Sequence, residues 1–428
     1  MSNCKFDRLL IVADDFTGSL DTGIQFVKKG ISVQVVTDWN YDFINTDPDH
    51  QVIVVDTESR PLSKEEAYCR VYEVTRRAKE AGFTYFYKKT DSALRGNIGS
   101  ELLGMMNGCG ETSLMMIPAF PKVRRLTKEG IHYIDGVPVS DSVFGKDPFE
   151  PVRYSKIEEI LHSQVEISVE SVGESDRFSG KLQTGNHQSG DKKIFVFDVS
   201  SEESMEELAE YLKKEDVYCA CSGCAGFAAY YHKLLDFSVR EEKKMIAGKK
   251  LLCLCGSVNP ITIRQIQYAK ANGFAGENLP CCKKLDLEYY RSETGQKELD
   301  ALFERVQMSG RYVIDTLDVP GEESVEEYAA RAGLSEKEIR ERIAGTLGFI
   351  GWEMVKRGFD GAIGVTGGDT LMGFMRESYC RELIPIAEIG QGAVLSEACW
   401  DDRRVSVISK SGGFGEEDIF VEIAAVMK

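Results

Sequence analysis

Short apolar runs with polar or glycine-bearing ends recur along the chain and alternate with longer stretches of helical periodicity. Such a run predicts a buried strand, whereas apolar positions three and four residues apart predict a helix. Lys64–Ala81 has the helical pattern and lies between two predicted strands. In the first half the predicted strands are Leu9–Ala13, Val33–Thr37, Val52–Asp56, Thr84–Lys88, Leu114–Ile117, Ile194–Val199 and Val217–Cys221. The alternation predicts an α/β fold with largely parallel sheets.

The residues after Pro118 interrupt this pattern. Prolines and glycines recur from Pro121 to Pro151, and Gly173–Lys192 is rich in Ser, Gly, Gln and Asp. A connection this long is uncommon in a compact domain unless it has a function. We therefore expect an irregular lid or substrate-binding insertion after Pro118 and an exposed loop at Gly173–Lys192.

The second half resumes the pattern with fewer strands. The charged stretch Ser238–Lys250 indicates a linker, and 428 residues exceed one ordinary hydrophobic core. We therefore predict two α/β domains, residues 1–245 and 246–428. After the linker the predicted strands are Leu251–Cys255, Arg311–Thr316, Gly361–Val365 and Val405–Ser409, and the long predicted helix is Ser335–Arg357.

Charge and composition exclude several classes. The chain has 52 basic and 69 acidic residues, a formal charge of −17, which argues against sequence-independent nucleic-acid binding. No apolar stretch approaches the roughly 20 residues of a membrane span, and no signal peptide is evident, so we expect a cytoplasmic protein. The twelve cysteines lack the paired C-x-x-C spacing of a zinc ribbon and have no histidine partners. We interpret those in strand-like runs, such as Cys253 and Cys255, as small buried hydrophobic residues.

Two acidic residues follow the first predicted strand. Asp14 and Asp15 precede Thr17 and Gly18, where a helix is predicted to begin. Ligands of α/β sheets bind beyond the carboxyl ends of strands. The pair could hydrogen-bond substrate hydroxyls, hold a cation or accept a proton. The alternative is that Asp15 or Thr17 simply caps the helix.

A second polar loop follows the predicted strand that ends at Lys88. It brings together Lys88, Lys89, Thr90, Asp91, Ser92, Arg95 and Asn97. Such a loop can clamp a carboxylate, with arginine bidentate and lysine as a point charge, while Asp91 and Asn97 recognise hydroxyls. Arg60, after the third strand, is a further candidate anion ligand, although a surface arginine explains it equally well. For His132 we favour a structural hydrogen bond over a substrate contact.

Three glycine-bearing loops follow predicted strands in the second half. They are Gly256-Ser257, Gly367–Thr370 and the loop from Lys410 to Gly415. Glycines let backbone amides approach a polyphosphate, and hydroxyls add donors. Lys410 could neutralise phosphate charge, and Asp369 could hold Mg²⁺ or orient a nucleotide hydroxyl. No Walker A loop is present. Together the loops indicate a phosphate-bearing ligand.

In this order the motifs resemble those of the four-carbon acid sugar kinase family, which includes threonate, erythronate and 3-oxo-tetronate kinases. The resemblance covers nearly the whole chain and rests on Ala13–Ser19, Lys89–Asn97, Pro118–Pro121, Gly136–Pro138, Asp147–Pro151, Gly256-Ser257, Gly367–Thr370 and Lys410–Gly415. It implies a sugar-acid-binding domain at 1–245, an ATP-binding domain at 246–428 and an active site in the cleft between them. The implied reaction phosphorylates the C4 hydroxyl with ATP and Mg²⁺.

The resemblance also implies residue roles. Predicted substrate contacts are Asp14, Asp15, Arg60, Lys88, Lys89, Thr90, Asp91, Ser92 and Arg95. Predicted ATP contacts are Ser257, Gly367, Gly368, Asp369, Thr370 and Gly412. We favour Asp15 as the catalytic base, with Arg60, Lys89 and Arg95 clamping the carboxylate; the Mg²⁺ ligands are left open.

Two departures from the family pattern bear on specificity. Ala93 stands where the family often has threonine, and Arg124 where it often has glycine. The Lys-Lys-Thr-Asp-Ser form of the loop favours threonate or erythronate over 3-oxo-tetronate.

Two other functions stay open beside an ATP-dependent sugar-acid kinase. One is a non-catalytic sensor of sugar acid and nucleotide. The other is a nucleotide-independent sugar-acid aldolase or isomerase, which would leave the three glycine loops without a ligand. The predicted partners are a small sugar acid and ATP, with no nucleic acid and no membrane; a homodimer is left open.

Overall fold

The chain divides into two compact units, Met1–Glu242 and Lys243–Lys428. The computed structural model describes residues 7–147, 150–178, 182, 191–239, 248–400 and 403–427. The boundary predicted at residue 245 lies outside the described residues. No helix in these ranges is long and apolar enough to cross a membrane.

The N-terminal unit is built on a parallel sheet with the strand order β2-β3-β1-β4-β11-β5-β10-β9. Its strands are β1 Leu9–Ala13, β2 Val33–Val36, β3 Val52–Asp56, β4 Tyr85–Lys89, β5 Ser113–Ile117, β6 Arg125–Lys128, β7 Ile131–Ile134, β8 Val137–Pro138, β9 Ser168–Val172, β10 Lys193–Phe197 and β11 Ala220–Gly223. Its helices are α1 Phe16–Val27, α2 Lys64–Glu80, α3 Ile98–Cys109, α4 Ile157–His162, α5 Glu202–Glu215 and α6 Ala225–Tyr231. The prediction of an α/β fold with largely parallel sheets is confirmed.

Strand β1 shows why the sheet forms where the sequence predicts it. All five of its residues are buried, as expected for a parallel strand covered on both faces. It pairs in parallel with β3 and β4, in a register that sets Ala13 opposite Asp56 and Lys89. The carboxyl ends of these three strands therefore meet at one edge of the sheet.

Helix α2 begins at a capping box, in which Ser63 and Glu66 satisfy each other's backbone amides. Its buried residues Ala67, Val71, Val74 and Ala78 are spaced four, three and four apart, so one stripe faces the core. Replacing Ser63 by alanine would cost about 1 kcal/mol of helix stability. Val71, Val74 and Ala78 belong to the hydrophobic core of the N-terminal unit.

The expectation of an irregular segment after Pro118 is wrong for residues 125–138, where β6, β7 and β8 form a three-stranded antiparallel sheet. The chain then continues through two short 3₁₀ helices, Val139–Asp141 and Val143–Lys146. Thr127 joins this sheet to the chain after β10 through two backbone bonds with Val199, of 3.0 and 2.9 Å. Short strands between turns carry too little periodicity to be distinguished from a loop.

Two other predictions of the first half need comment. The strand predicted at Val217–Cys221 is β11, which begins only at Ala220. Helix α5 is capped before it by Asp216 in a left-handed conformation, with φ of 57°. Of the loop predicted at Gly173–Lys192, residues 179–181 and 183–190 lie outside the described residues. Its described part includes a turn of 3₁₀ helix, Asp176–Phe178.

The C-terminal unit has a mixed sheet with the strand order β13-β14-β12-β15-β18-β17-β16. Its strands are β12 Leu251–Cys255, β13 Ala275–Asn278, β14 Arg311–Asp315, β15 Ala362–Thr366, β16 Glu382–Gly390, β17 Ala393–Trp400 and β18 Arg403–Lys410. Its helices are α7 Pro260–Ala271, α8 Cys281–Lys284, α9 Glu293–Ser309, α10 Val325–Ala332, α11 Glu336–Lys356, α12 Gly368–Glu377 and α13 Ile419–Val426.

The sequence pattern missed β13, β16 and β17. Strand β13 is an edge strand without a buried residue, so it lacks an apolar run. Strands β16 and β17 are antiparallel, and two register shifts interrupt their pairing. Bulges and one solvated face disrupt the pattern that identifies a strand. The described cysteines are free thiols, and Cys253 and Cys255 are buried in the core as predicted.

Candidate functional site

The edge of the N-terminal sheet brings together charged residues from three strands. Asp14 and Asp15 follow β1, Arg60 follows β3, and Lys89 ends β4. The Arg60 guanidinium contacts Asp14 Oδ2 through Nε at 2.7 Å and Asp15 Oδ1 through Nη2 at 2.9 Å. Lys89 Nζ lies 3.1 Å from Asp14 Oδ1 and 3.0 Å from Asp15 Oδ1. The two acids and two cations form one ion-paired cluster.

The cluster is charged although it is largely buried. Burial disfavours the ionised form of Asp14, but Arg60 and Lys89 outweigh it and hold the pKa of this carboxyl well below its usual range. Burial also opposes the charges of Arg60 and Lys89, and Asp14 with Asp15 outweighs it, raising the pKa of both cations. Each charge thus depends on the others.

Asp15 is the open member of the cluster. Its side chain is 31% exposed, whereas that of Asp14 is 1% exposed. Asp15 also caps α1, because its Oδ1 accepts the Gly18 amide at 3.2 Å. Among the described residues no hydrogen bond to Asp15 Oδ2 is present. Capping and an exposed oxygen coexist, so the two interpretations from the sequence are compatible.

Gly18 allows Lys89 to reach the acids. A Cβ atom at Gly18 would lie 2.0 Å from Lys89 Nζ and 2.4 Å from Asp15 Oδ1. Any larger residue would have to displace the ammonium from the start of α1. The glycine of this motif is therefore explained by a close approach of a side chain.

The loop after β4 holds a second ion pair. The Asp91 carboxylate accepts hydrogen bonds from Nε and Nη2 of Arg95, at 2.9 and 3.0 Å. It also accepts one from the Ala93 amide, at 3.1 Å. Arg60 Nη2 lies 3.8 Å from Asp91 Oδ1 and links the loop to the cluster. Burial opposes ionisation of Asp91, yet Arg60 and Arg95 lower the pKa of this carboxyl. Asp91 is therefore an anion at neutral pH.

Lys88, Thr90 and Ser92 are placed differently. Adjacent strand residues point to opposite faces, so Lys88 points away from the face of Lys89 and contacts Glu101 Oε2 at 3.1 Å, with both side chains fully buried. Thr90 is buried, and its Oγ1 has no partner among the described residues. Ser92 Oγ accepts a hydrogen bond from Arg125. The structure thus brings Asp14, Asp15, Arg60, Lys89, Asp91 and Arg95 together but directs Lys88 to Glu101.

Sequence reasoning missed three groups near this edge. Glu101 supports Lys88, Arg125 contacts Ser92, and Asp56 ends β3 beside the acids. Burial, and after it the charge of Glu58, raises the pKa of Asp56, whose Oδ2 has no partner in the described part of the chain. The one signal for Arg125 was its position next to Arg124, where the chain departs from the family pattern, and that signal assigns no role to Arg125.

In the C-terminal unit the glycine loops follow three neighbouring parallel strands, β12, β15 and β18. Thr262 Oγ1 donates to the Gly412 carbonyl at 2.8 Å and lies 3.3 Å from Ser257 Oγ. A Cβ atom at Gly256 would lie 2.4 Å from Thr370 Oγ1, so these two loops touch. Ser257, Gly412 and Thr370 are therefore close together.

Helix α12 begins in this group without a side-chain cap. Its N-cap residue is Gly367, which has no side chain to accept a hydrogen bond from the first amides of the helix. Gly368, Asp369 and Thr370 form the first turn. The first amides of a helix have no partner within the helix and attract anions. The start of α12 therefore suits a phosphate group.

Lys410 is the cation of this group. Its side chain is buried, and Nζ donates to the Ser411 carbonyl at 2.8 Å. No carboxylate forms an ion pair with Lys410 among the described residues. Burial lowers the pKa of Lys410 to about 8. An arriving phosphate would stabilise the charged form.

A cavity of about 630 Å³ opens beside the loops, within the C-terminal unit. Gly256, Asp369 and Thr370 line one part of it. Apolar side chains line much of the rest, among them Val258, Ile263, Leu317, Val325, Ile339 and Ile343. A cavity of this size with apolar walls and a few polar groups is typical of a small-ligand site. In the described ranges no three Asp, Glu, His or Cys side chains are arranged to hold a metal ion.

Comparison with known proteins matches the chain to two family models. A family model described as "Sugar-binding N-terminal domain" matches residues 9–231, and one described as "Nucleotide-binding C-terminal domain" matches residues 252–420. The chain is 26% identical over 431 residues to D-threonate kinase from Salmonella typhimurium, covering 96% of both chains. It is 28% identical over 440 residues to D-erythronate kinase from Heliobacterium modesticaldum, covering 96% of this chain and 95% of that one.

A solved structure shares the fold. A protein from Salmonella typhimurium LT2 superposes with a TM-score of 0.81 at 18% identity, covering 98% of this chain and 100% of that chain.

Proposed function

Since the chain belongs to the four-carbon acid sugar kinase family, we propose that it transfers the γ-phosphoryl group of ATP to the C4 hydroxyl of a four-carbon sugar acid. Threonate and erythronate are the favoured acceptors, with 3-oxo-tetronate as the alternative. The observation that carries the proposal is the ion-paired cluster at the carboxyl ends of β1, β3 and β4, where one carboxylate, Asp15, remains open.

The N-terminal cluster suits a polyhydroxylated acid. Carboxylates of Asp15 and Asp91 can accept hydrogen bonds from hydroxyl groups, and Arg95 and Lys89 can donate to them. Because the ion pairs fix these side chains before a ligand arrives, little conformational entropy is lost on binding. Thr90, Ser92 and Lys88 would complete or support the loop that surrounds the acceptor.

Asp15 is the proposed catalytic base. Its Oδ1 is held by Gly18, Arg60 and Lys89, which fixes the carboxylate in place. The other oxygen, Oδ2, is then available to accept the proton as the C4 hydroxyl attacks phosphorus. Phosphoryl transfer depends mainly on positioning and charge stabilisation, so a carboxylate is a sufficient base.

The C-terminal cavity is the proposed ATP site. Its apolar walls suit the adenine ring, and Ser257, Gly412 and the Gly367–Thr370 turn suit the phosphates. Lys410 would pair with phosphate oxygens. Mg²⁺ bound mainly through nucleotide phosphates needs only one or two protein carboxylates, and Asp369 supplies one beside the cavity. Bound there, the ion would neutralise charge on the β- and γ-phosphates.

An ADP-release assay tests the proposal. Both enantiomers of threonate and erythronate, and 3-oxo-tetronate, are offered with MgATP, and ³¹P NMR locates the new phosphate ester. We expect ADP with at least one acid and a C4 phosphate in the product. ATP binding without ADP release from any acid would contradict a kinase and favour a sensor. Conversion of an acid in the absence of ATP would favour an aldolase or isomerase.

A further inference from the structure

The three cations that the sequence assigned to the substrate carboxylate are already neutralised. Arg60 and Lys89 pair with Asp14 and Asp15, and Arg95 holds Asp91 through two hydrogen bonds. A substrate carboxylate that took the Nε and Nη2 edge of Arg95 would displace Asp91, whose side chain is 9% exposed. Leaving that aspartate unpaired is costly, because a buried charge without a partner is strongly destabilising.

Arg125 is a cation at the same loop without such a partner. Its Nη1 donates to Ser92 Oγ, next to Asp91, and among the described residues no carboxylate forms an ion pair with its guanidinium. Its Cζ lies 5.3 Å from the centroid of the Phe144 ring, and the Arg95 Cζ lies 5.3 Å from the same centroid. One aromatic ring therefore positions both guanidinium groups beside residues 91 and 92.

The backbone around Arg125 is rigidly held. Arg125 exchanges two backbone hydrogen bonds with Phe120, of 2.7 and 3.1 Å, and begins strand β6. His132, on β7, lies with Nε2 3.0 Å from the Ser92 carbonyl and Nδ1 3.3 Å from Thr127 Oγ1. Burial lowers the pKa of His132 to about 4, so the ring is neutral and donates through Nε2 to the carbonyl. The small sheet thus fixes the distance between Arg125 and the loop after β4.

We propose that Arg125 binds the carboxylate of the acceptor acid, while Asp15 and Asp91, held by their paired cations, recognise its hydroxyl groups. The inference rests on the proposed function in that it takes the acceptor to be a sugar acid. It replaces the carboxylate clamp of Arg60, Lys89 and Arg95 that the sequence indicated. A planar guanidinium can bind a carboxylate with two parallel hydrogen bonds.

The consequence is selectivity for an acid over a neutral polyol of the same length. Threitol and erythritol carry the hydroxyls of the acids but no carboxylate, so they gain nothing from Arg125. Arg125→Gln is expected to raise KM for D-threonate or D-erythronate about 10- to 100-fold, the range of a charge-assisted hydrogen bond. KM for ATP and for the neutral polyols should not change. Arg125→Lys keeps the positive charge but loses the planar guanidinium with its two parallel donors. Its KM for the acid should lie between those of the wild type and Arg125→Gln.

Arg124→Gln is the matched control. It removes the same charge one residue away, from a side chain that is 74% exposed and pairs with Asp135 at 3.4 Å. We expect KM for the acid to stay at the wild-type value in this variant. An equal rise of KM in both variants would overturn the proposal, because a general loss of positive charge would then explain the effect.

Calorimetric titration with D-threonate and D-erythronate, without ATP, separates this inference from the kinase activity. Binding to the wild-type protein that is lost in Arg125→Gln supports the carboxylate site even if no ADP is ever released. Unchanged binding in Arg125→Gln overturns it even if the protein is a kinase. Failure of the wild-type protein to bind any acid of the ADP-release panel, 3-oxo-tetronate included, overturns both proposals. A wild-type melting temperature for Arg125→Gln shows that its lost binding is not lost folding.

Discussion

The two units use the carboxyl ends of their parallel strands in opposite ways. In the N-terminal unit Asp15 caps α1, and every cation of the cluster faces an aspartate. In the C-terminal unit Gly367 starts α12 without a side-chain cap, and Lys410 faces a carbonyl rather than a carboxylate. In the N-terminal unit the cations at this edge are therefore neutralised by aspartates before a ligand binds. In the C-terminal unit the edge keeps the positive charge of Lys410 and the partial positive charge of the first amides of α12.

This difference fits two kinds of ligand. A sugar acid presents several uncharged hydroxyl groups, which carboxylates and cations held in place can bind through hydrogen bonds. A triphosphate presents concentrated negative charge, which free amides and an unpaired lysine attract. Three predictions are directed at these two edges, and a fourth at the turn before β6.

The largest expected effect is at the open carboxylate. Asp15→Asn should lower kcat by about 10²- to 10⁴-fold, the usual contribution of a general base. Asparagine is as good an N-cap as aspartate, so α1 should remain folded. Steady-state kinetics, with ATP affinity measured separately, checks the change. A folded Asp15→Asn protein with near-normal kcat would remove the base from this residue.

At the other edge, Lys410→Met should raise KM for ATP about 10- to 100-fold at pH 7, since a charge-assisted contact to phosphate is lost. Because the pKa of Lys410 is lowered by burial to about 8, raising the pH through 8 removes its proton and should weaken ATP binding to the wild type. The pH dependence above 8 should be absent in Lys410→Met.

Lys250→Met is the control for that pair of measurements. Lys250 belongs to the same unit and pairs with Asp360 at 2.9 Å, away from the glycine loops. Its loss should leave ATP affinity and its pH profile unchanged. The same KM shift in Lys250→Met would mean that net charge, and not the buried lysine, attracts the nucleotide.

A smaller effect tests how tightly the N-terminal cluster is packed. Gly18→Ala places a methyl group against Lys89 Nζ and should destabilise the protein by about 1–3 kcal/mol, as overpacking does. It should also raise KM for the acid and spare KM for ATP. Gly23→Ala is the control: it lies in the same helix, but its Cβ would lie 3.2 Å from Val33 Cγ1, away from Lys89. Urea denaturation and kinetics distinguish the two variants; equal losses of acid affinity would contradict the role of Gly18.

The smallest effect concerns the turn before β6. Arg124 has φ of 57°, a conformation that costs a non-glycine residue about 1 kcal/mol. Arg124→Gly should therefore raise the free energy of unfolding by about 0.5–1 kcal/mol. Lys122→Gly, earlier in the same turn and with no positive φ, should not be stabilising. Urea denaturation of both variants gives the answer, and a less stable Arg124→Gly protein would contradict the strain argument.

The sequence predicted the strand ends well because the strands before them are continuous apolar runs. β1, β3 and β12 have the predicted bounds. It could not predict which cation pairs with which acid, because that depends on the register that sets Ala13 opposite Lys89. The alternation of side chains along a strand could have shown that Lys88 and Lys89 point to opposite faces of the sheet, so that only one of them can reach the acids.

Other features had no sequence signal strong enough to find. Arg125 lies in a region where turns break every periodic pattern, so its approach to Ser92 depends on the tertiary pairing of Thr127 with Val199. The cavity beside Gly256 is lined from helices and loops that are far apart in the chain. Such sites arise from packing, which no local pattern of apolar residues encodes.

The buried pair of Lys88 and Glu101 constrains how this protein can evolve. Both side chains are fully buried, and Lys88 also donates to the Lys89 carbonyl at 2.7 Å. Loss of either partner alone would leave an unpaired buried charge, at a cost of about 3–5 kcal/mol. Replacement of both by apolar residues of similar size can be nearly neutral. Loss of this ion pair during evolution therefore requires either an unstable single mutant or two simultaneous substitutions. Lys88 in β4 and Glu101 in α3 are thus expected to change together or not at all.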